Sequence, residues 1–152
     1  RPRYLSMRSG IVSLILLAAT PAVSALAATP AAAQAWMVGT WFGQGQPQDK
    51  AAMYIDRMRP GGSWRGEYRT CMRGKAVDQL QTGHWSVEGD TLILKVETVD
   101  GIAAPRTDTY KMLAHSPAAQ KYLSLQRTAW NFPYTPQRVA DDFQMPSCEL
   151  VG

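Results

Sequence analysis

The sequence predicts an all-β fold: an antiparallel up-and-down meander closing into a small barrel of about seven to eight strands, with a short C-terminal helix. Two patterns point there, period-2 alternation of apolar and polar residues and turn residues every 8 to 15 positions. The third observation is length: 152 residues hold one domain with a sizeable core but hardly two. Strands are expected near Val38–Gln44, Ala51–Met58, Ser63–Cys71, Ala76–Val87, Thr91–Val99, Arg106–Leu113 and Lys121–Thr128. Between them lie Arg59-Pro60-Gly61-Gly62, Arg73-Gly74, Glu88-Gly89-Asp90 and Asp100-Gly101, where glycine supplies the positive φ of a tight hairpin. A meander of this length escapes its exposed edges most easily by closing on itself.

Alternation also assigns faces. Leu92, Leu94 and Val96 share one side of their strand, and Trp64, Gly66 and Tyr68 share one side of theirs; these should face the interior. Cys71 then points outward. Arg127 has the parity of Leu123 and Leu125 and is expected to point inward. After the last strand, Trp130-Asn131-Phe132-Pro133-Tyr134 reads as loop. Thr135 followed by Pro136 has the form of an N-cap and first helical residue, starting a short helix through about Phe143.

Residues 7 to 35 carry a basic start, the apolar run Ile11–Ala19 and the small-residue end Ala33-Gln34-Ala35, the three parts of a secretory signal peptide. Met7 is the expected initiator and cleavage is expected after Ala35, with Val23-Ser24-Ala25 as a second site. The apolar run is about half the ~20 residues a spanning helix needs, so the mature form is not expected to span a membrane. The division that follows is a leader at 1–35, a barrel at 36–128 and a C-terminal loop, helix and tail at 129–152, in a periplasmic or secreted protein. In an oxidising compartment Cys71 and Cys148, the 2 cysteines of the chain, are expected to form a disulfide that straps the tail to a strand.

The net charge of +4 comes largely from the leader. Arg1, Arg3 and Arg8 lie there with no acid, leaving 13 basic against 12 acidic residues from Trp36 onward. Nucleic acid is therefore not an expected partner. The charge that remains is uneven, because Arg57, Arg59, Arg65, Arg69 and Arg73 fall close together. They suit either an anionic envelope partner or an outward ladder of cross-strand ion pairs around Glu67.

Gly39-Thr40-Trp41 on the first strand, with Arg127 at the end of the last, resembles the signature of the calycin superfamily, the lipocalins and their relatives. The resemblance implies that the Arg127 guanidinium lies over the Trp41 indole at the closed end, a structural role. Gly83-His84-Trp85 leading to Gly89-Asp90-Thr91-Leu92, then Tyr110-Lys111-Met112-Leu113, extends the likeness to small bacterial secreted lipocalin-like domains over about Trp36 to Thr128. The opening Gly39-Thr40-Trp41-Phe42-Gly43-Gln44-Gly45 is also similar to that of the nitrobindins, haem barrels with a late histidine ligand. The last histidine here, His115, falls in a turn, and no cofactor is expected. Periplasmic metalloprotease inhibitors are small disulfide-bonded barrels with an early Gly-x-Trp, and their free N-terminal segment would correspond to Trp36-Met37-Val38.

No nucleophile elbow, Cys-x-x-Cys, zinc-protease motif or phosphate loop occurs, and 2 histidines and 2 cysteines far apart do not make a metal centre. No catalytic set converges, so no enzymatic activity is expected. The aromatic residues suit either a filled core or a cavity for a small apolar or amphipathic ligand, lined by Trp64, Tyr68, Trp85, Leu94 and Tyr110. The alternative function is a protein-interaction module of the envelope, such as a periplasmic protease inhibitor.

Overall fold

A computed structural model describes residues 34–150. The expected leader lies outside them except for Gln34 and Ala35. Eight strands follow in chain order: β1 Gly39–Gln44, β2 Ala52–Met58, β3 Ser63–Met72, β4 Lys75–Glu88, β5 Thr91–Val99, β6 Ile102–His115, β7 Gln120–Ser124 and β8 Gln137–Val139. All ladders are antiparallel, in the order β7-β6-β5-β4-β3-β2-β1-β8. Isolated bridges Ala119 to Gln137 and Tyr122 to Tyr134 bring the two ends of the sheet together, giving a nearly closed barrel.

The ends of β2 to β5 follow the turn chemistry, with Gly62, Gly74, Gly89 and Gly101 all at positive φ. β6 begins earlier than expected, because a bulge between Val96 and Thr98 absorbs Ala104 and Pro105, whose missing N–H would break a regular ladder.

The C-terminal region differs most from expectation. No helix starts at Thr135; Gln137–Val139 instead pairs with Thr40, Trp41 and Phe42 as β8. The free edge of β1 demands hydrogen-bond partners, and this outweighs the local helix-start signal. β7 stops at Ser124, where the Asn131 amide donates to the Ser124 carbonyl at 2.8 Å and turns the chain away. Its inward set is Gln120, Tyr122 and Ser124, one residue out of phase with the leucines, so Leu125 and Arg127 lie exposed.

The core at the closed end gathers Met37, Trp41, Met58, Trp64, Trp85, Val87, Leu92, Leu94 and Val96. Met37 plugs this end from the short 3-10 turn Ala35–Met37, and its carbonyl accepts the Trp41 indole N–H at 2.8 Å. The guanidinium stacked on Trp41 is that of Arg138, 4.2 Å from the ring centroid, and not that of Arg127. Arg138 also donates to the carbonyls of Trp36, Val38 and Pro117 at 2.9, 2.7 and 2.6 Å. Gly39 makes this possible, since a Cβ there would fall 2.0 Å from Arg138 Nη1. Arg127 fails the role because the chain leaves the sheet before it; its guanidinium reaches Gln46 Oε1 at 3.4 Å instead.

Cys71 and Cys148 form a disulfide with their Cα atoms 5.4 Å apart. The tail it anchors crosses the outside of β1 to β3. Phe143 packs on Phe42 with ring centroids 5.1 Å apart, and Thr40 donates to Asp141 Oδ1 at 2.9 Å. Arg57 donates to the carbonyls of Asp141 and Phe143, and Arg69 to that of Pro146.

Candidate ligand site

Tyr54 and Asp56 stand on the inward face of β2, opposite Tyr68 and Gly66 of β3. Tyr110 of β6 pairs with Leu92 and with Ser124 of β7, and Tyr122 of β7 bridges to Tyr134. Five of the 6 tyrosines therefore converge. With Asp56, Leu92 and Leu94 they line an inner cavity of about 60 Å³. Tyr54, Tyr68 and Tyr134 also line a wider vestibule of about 330 Å³, walled by Gln46, Ala52, Met53, Thr70, Val77 and Gln79 with the charged residues Asp49, Arg69 and Arg127. Gly43 clears the space: a Cβ at that position would lie 2.1 Å from the Tyr54 ring.

The rings hold one another in place. Tyr54 and Tyr68 stack with centroids 6.3 Å apart, Tyr122 and Tyr134 at 5.3 Å, and Tyr110 meets both of the latter edge-on. The Tyr122 hydroxyl donates to that of Tyr54 at 3.1 Å. Burial raises the hydroxyls of Tyr54, Tyr68, Tyr110 and Tyr122 above the ordinary phenol range, so all four are neutral donors and acceptors.

Asp56 is only 5% exposed. Its Oδ1 accepts the Trp64 indole N–H at 2.9 Å; Oδ2 has no hydrogen-bond partner among the described residues, and the residue lines the cavity. Burial pushes the carboxyl up to about 6, the Trp64 hydrogen bond opposing it, so at neutral pH it is a carboxylate at the foot of an aromatic box.

Of the expected lining, Tyr68, Leu94 and Tyr110 face this cavity. Trp64 and Trp85 do not line it and belong to the closed-end core, Trp64 holding Asp56 and Trp85 donating to the Arg59 carbonyl at 3.0 Å. Tyr54, Asp56, Tyr122 and Tyr134 complete the site without having been singled out in the sequence. The signal for Asp56 was there: an acid on the otherwise apolar alternation of Ala52, Tyr54 and Met58.

The arginine cluster is largely occupied within the chain. Arg57 and Arg65 both reach Glu67, at 3.2 and 3.1 Å. Arg69 forks onto both oxygens of Asp78 at 2.7 Å, and Arg59 lies 3.8 Å from Asp141. Arg73 occupies the β3–β4 turn at φ 51. His84 pairs with Glu97 on the surface and His115 stacks on Trp36. Among the described residues no three His, Cys, Asp or Glu side chains are grouped to hold a metal, and no helix is long and apolar enough to cross a membrane.

The fold and site together define a small antiparallel β-barrel with a deep, tyrosine-lined cavity on a buried carboxylate. No protein-family model matches the chain, and a search of curated proteins finds no match in sequence.

Proposed function

We propose that the protein is an exported, non-enzymatic barrel of the lipocalin-like kind that carries a small amphipathic ligand through its open end. The observation that carries this reading is the two-level cavity, an inner chamber of about 60 Å³ beneath a vestibule of about 330 Å³. That vestibule is at the small end of the range for ligand sites, where most of a ligand's surface is buried and a few polar groups orient it. The disulfide fits an oxidising compartment outside the cytoplasm. The interaction-module alternative draws less support, because Met37 is buried rather than free to enter a partner, and four of the five clustered arginines are engaged within the chain.

The test is native mass spectrometry of protein purified from its own host, with calorimetric titration of the delipidated protein by 1-octanol. A bound small-molecule mass, or one-site uptake of the alcohol, is the expected result. A ligand-free mass together with no uptake of any short amphiphile overturns the proposal.

A further inference from the structure

The tyrosine box has a chemistry more specific than an apolar pocket. A carboxylate with one oxygen satisfied by Trp64 and the other open to a cavity is an incomplete polar pair, and leaving it buried costs free energy. Every other group around it is an aromatic ring, a neutral hydroxyl or a leucine. Phenol faces attract cations, and phenol hydroxyls accept hydrogen bonds from them. No basic side chain lines the inner chamber. A positively charged group from outside the chain would complete the pair that Asp56 leaves open.

Volume narrows the class. About 60 Å³ is the space of roughly two water molecules, enough for an ammonium group and its first carbon but not for a trimethylated nitrogen. The vestibule shares Tyr54, Tyr68 and Tyr134 with the chamber, so the two adjoin; Ala52, Met53 and Val77 give it apolar wall, with Asp49, Arg69 and Arg127 also on its lining.

Resting on the ligand-carrying reading above, we infer that the ligand is a primary amine, its ammonium seated on Asp56 inside the tyrosine box and its apolar part in the vestibule. The ammonium donates to Asp56 Oδ2 and to tyrosine hydroxyls, and the rings close around it. Four eight-carbon probes share one tail and separate the head groups: octylamine, 1-octanol, octyltrimethylammonium and octanoate, titrated calorimetrically at pH 8 into the wild type and Asp56→Asn. In the wild type octylamine should bind about tenfold or more tighter than each of the others, as a buried charge-assisted hydrogen bond does. Asp56→Asn should reduce that advantage over 1-octanol to within about twofold. Equal affinity for octylamine and 1-octanol, or an octylamine affinity indifferent to Asp56→Asn, overturns the amine inference and leaves the carrier reading standing. Tighter binding of octyltrimethylammonium or octanoate overturns it too. Failure of all four probes removes the carrier reading, and the amine inference with it.

Discussion

Arg138 covers the indole of Trp41 from a strand almost 100 residues further along the chain, its guanidinium carbon 4.2 Å from the ring centroid. The contact joins three segments at the closed end, because the same guanidinium bonds carbonyls of residues 36, 38 and 117. Arg138→Ala should cost about 3 kcal/mol through the lost stacking and three charge-assisted hydrogen bonds. Arg127→Ala, at an exposed position, should stay within about 0.5 kcal/mol of the wild type. Urea unfolding of the two variants compares them directly, and a larger loss at Arg127 would contradict the assignment.

Asp56 should make stability depend on pH in a direction unusual for a carboxylate. Its folded-state pKa of about 6 lies above the ordinary 3.8, so the folded form binds more protons than the unfolded form between those values. The contribution of this group is fully present below about pH 4, falls as pH rises through the window and levels off above about pH 6. The loss is about 3 kcal/mol. Tyr54, Tyr68, Tyr110 and Tyr122 face the carboxyl with Trp64 and stay protonated throughout, and Asp108 and Arg106 lie beyond Tyr110. Asp56→Asn should match the wild type at pH 4 and exceed it by about 2 to 3 kcal/mol at pH 8, as read from urea midpoints. An identical pH slope in both proteins would show that the carboxyl is not responsible.

The same protonation acts on ligand affinity. Octylamine should bind about tenfold more weakly at pH 5 than at pH 8, because most Asp56 is then neutral, whereas 1-octanol should be unaffected. Affinity for the amine that holds steady down to pH 5 would separate its binding from Asp56.

The disulfide spans 77 residues and should stabilise the fold by about 4 kcal/mol in the chain-entropy model. Paired replacement Cys71→Ser with Cys148→Ser should lower stability by that order without removing the tail from the barrel, since Arg57 and Arg69 still hold its carbonyls. Hydrogen exchange at residues 141 to 146 checks the second half: complete loss of protection there would show that the disulfide alone keeps the tail in place.

Gln34 sets an expectation for processing. Its side-chain oxygen accepts from the Val87 N–H at 3.1 Å and its amide donates to the Val87 carbonyl, closing the end of β4. Cleavage after Ala35 would discard this pair, and cleavage after Ala25 would keep it. N-terminal sequencing of the protein purified from its own host should find a start at or before Gln34, and a start at Trp36 would show the pair to be dispensable.

The strands from β2 to β5 were legible because each ends on local turn chemistry, Gly62, Gly74, Gly89 and Gly101 acting as punctuation that needs no tertiary context. The tail was not legible for the opposite reason. Whether Thr135-Pro136 opens a helix or leads into a strand depends on the unpaired edge of β1, almost a hundred residues earlier. The choice between Arg127 and Arg138 over Trp41 hangs on the same return of the chain. In the candidate site, alternation placed Tyr68 and Leu94 inward and Tyr110 was expected in the lining, whereas Tyr122 was hidden by neighbouring leucines whose hydrophobicity suggested the other face. Asp56 needed only its parity to be noticed.

The Cys71–Cys148 bond also divides the chain mechanically. Five strands, β4 to β8, lie within the covalent ring it closes. A force pulling on the two ends of the barrel, as in threading through a translocation pore or in an optical trap, passes along residues 34 to 71, crosses the sulfur bridge and bypasses the ring. Only β1 to β3 can then be drawn out, about 130 Å of chain, while the ring can add about 270 Å only after reduction. The site straddles that divide, with Tyr54, Asp56 and Tyr68 on the extensible side and Tyr110, Tyr122 and Tyr134 on the shielded one. Tension would therefore empty the tyrosine box by pulling its two halves apart, long before most of the polypeptide had been stretched.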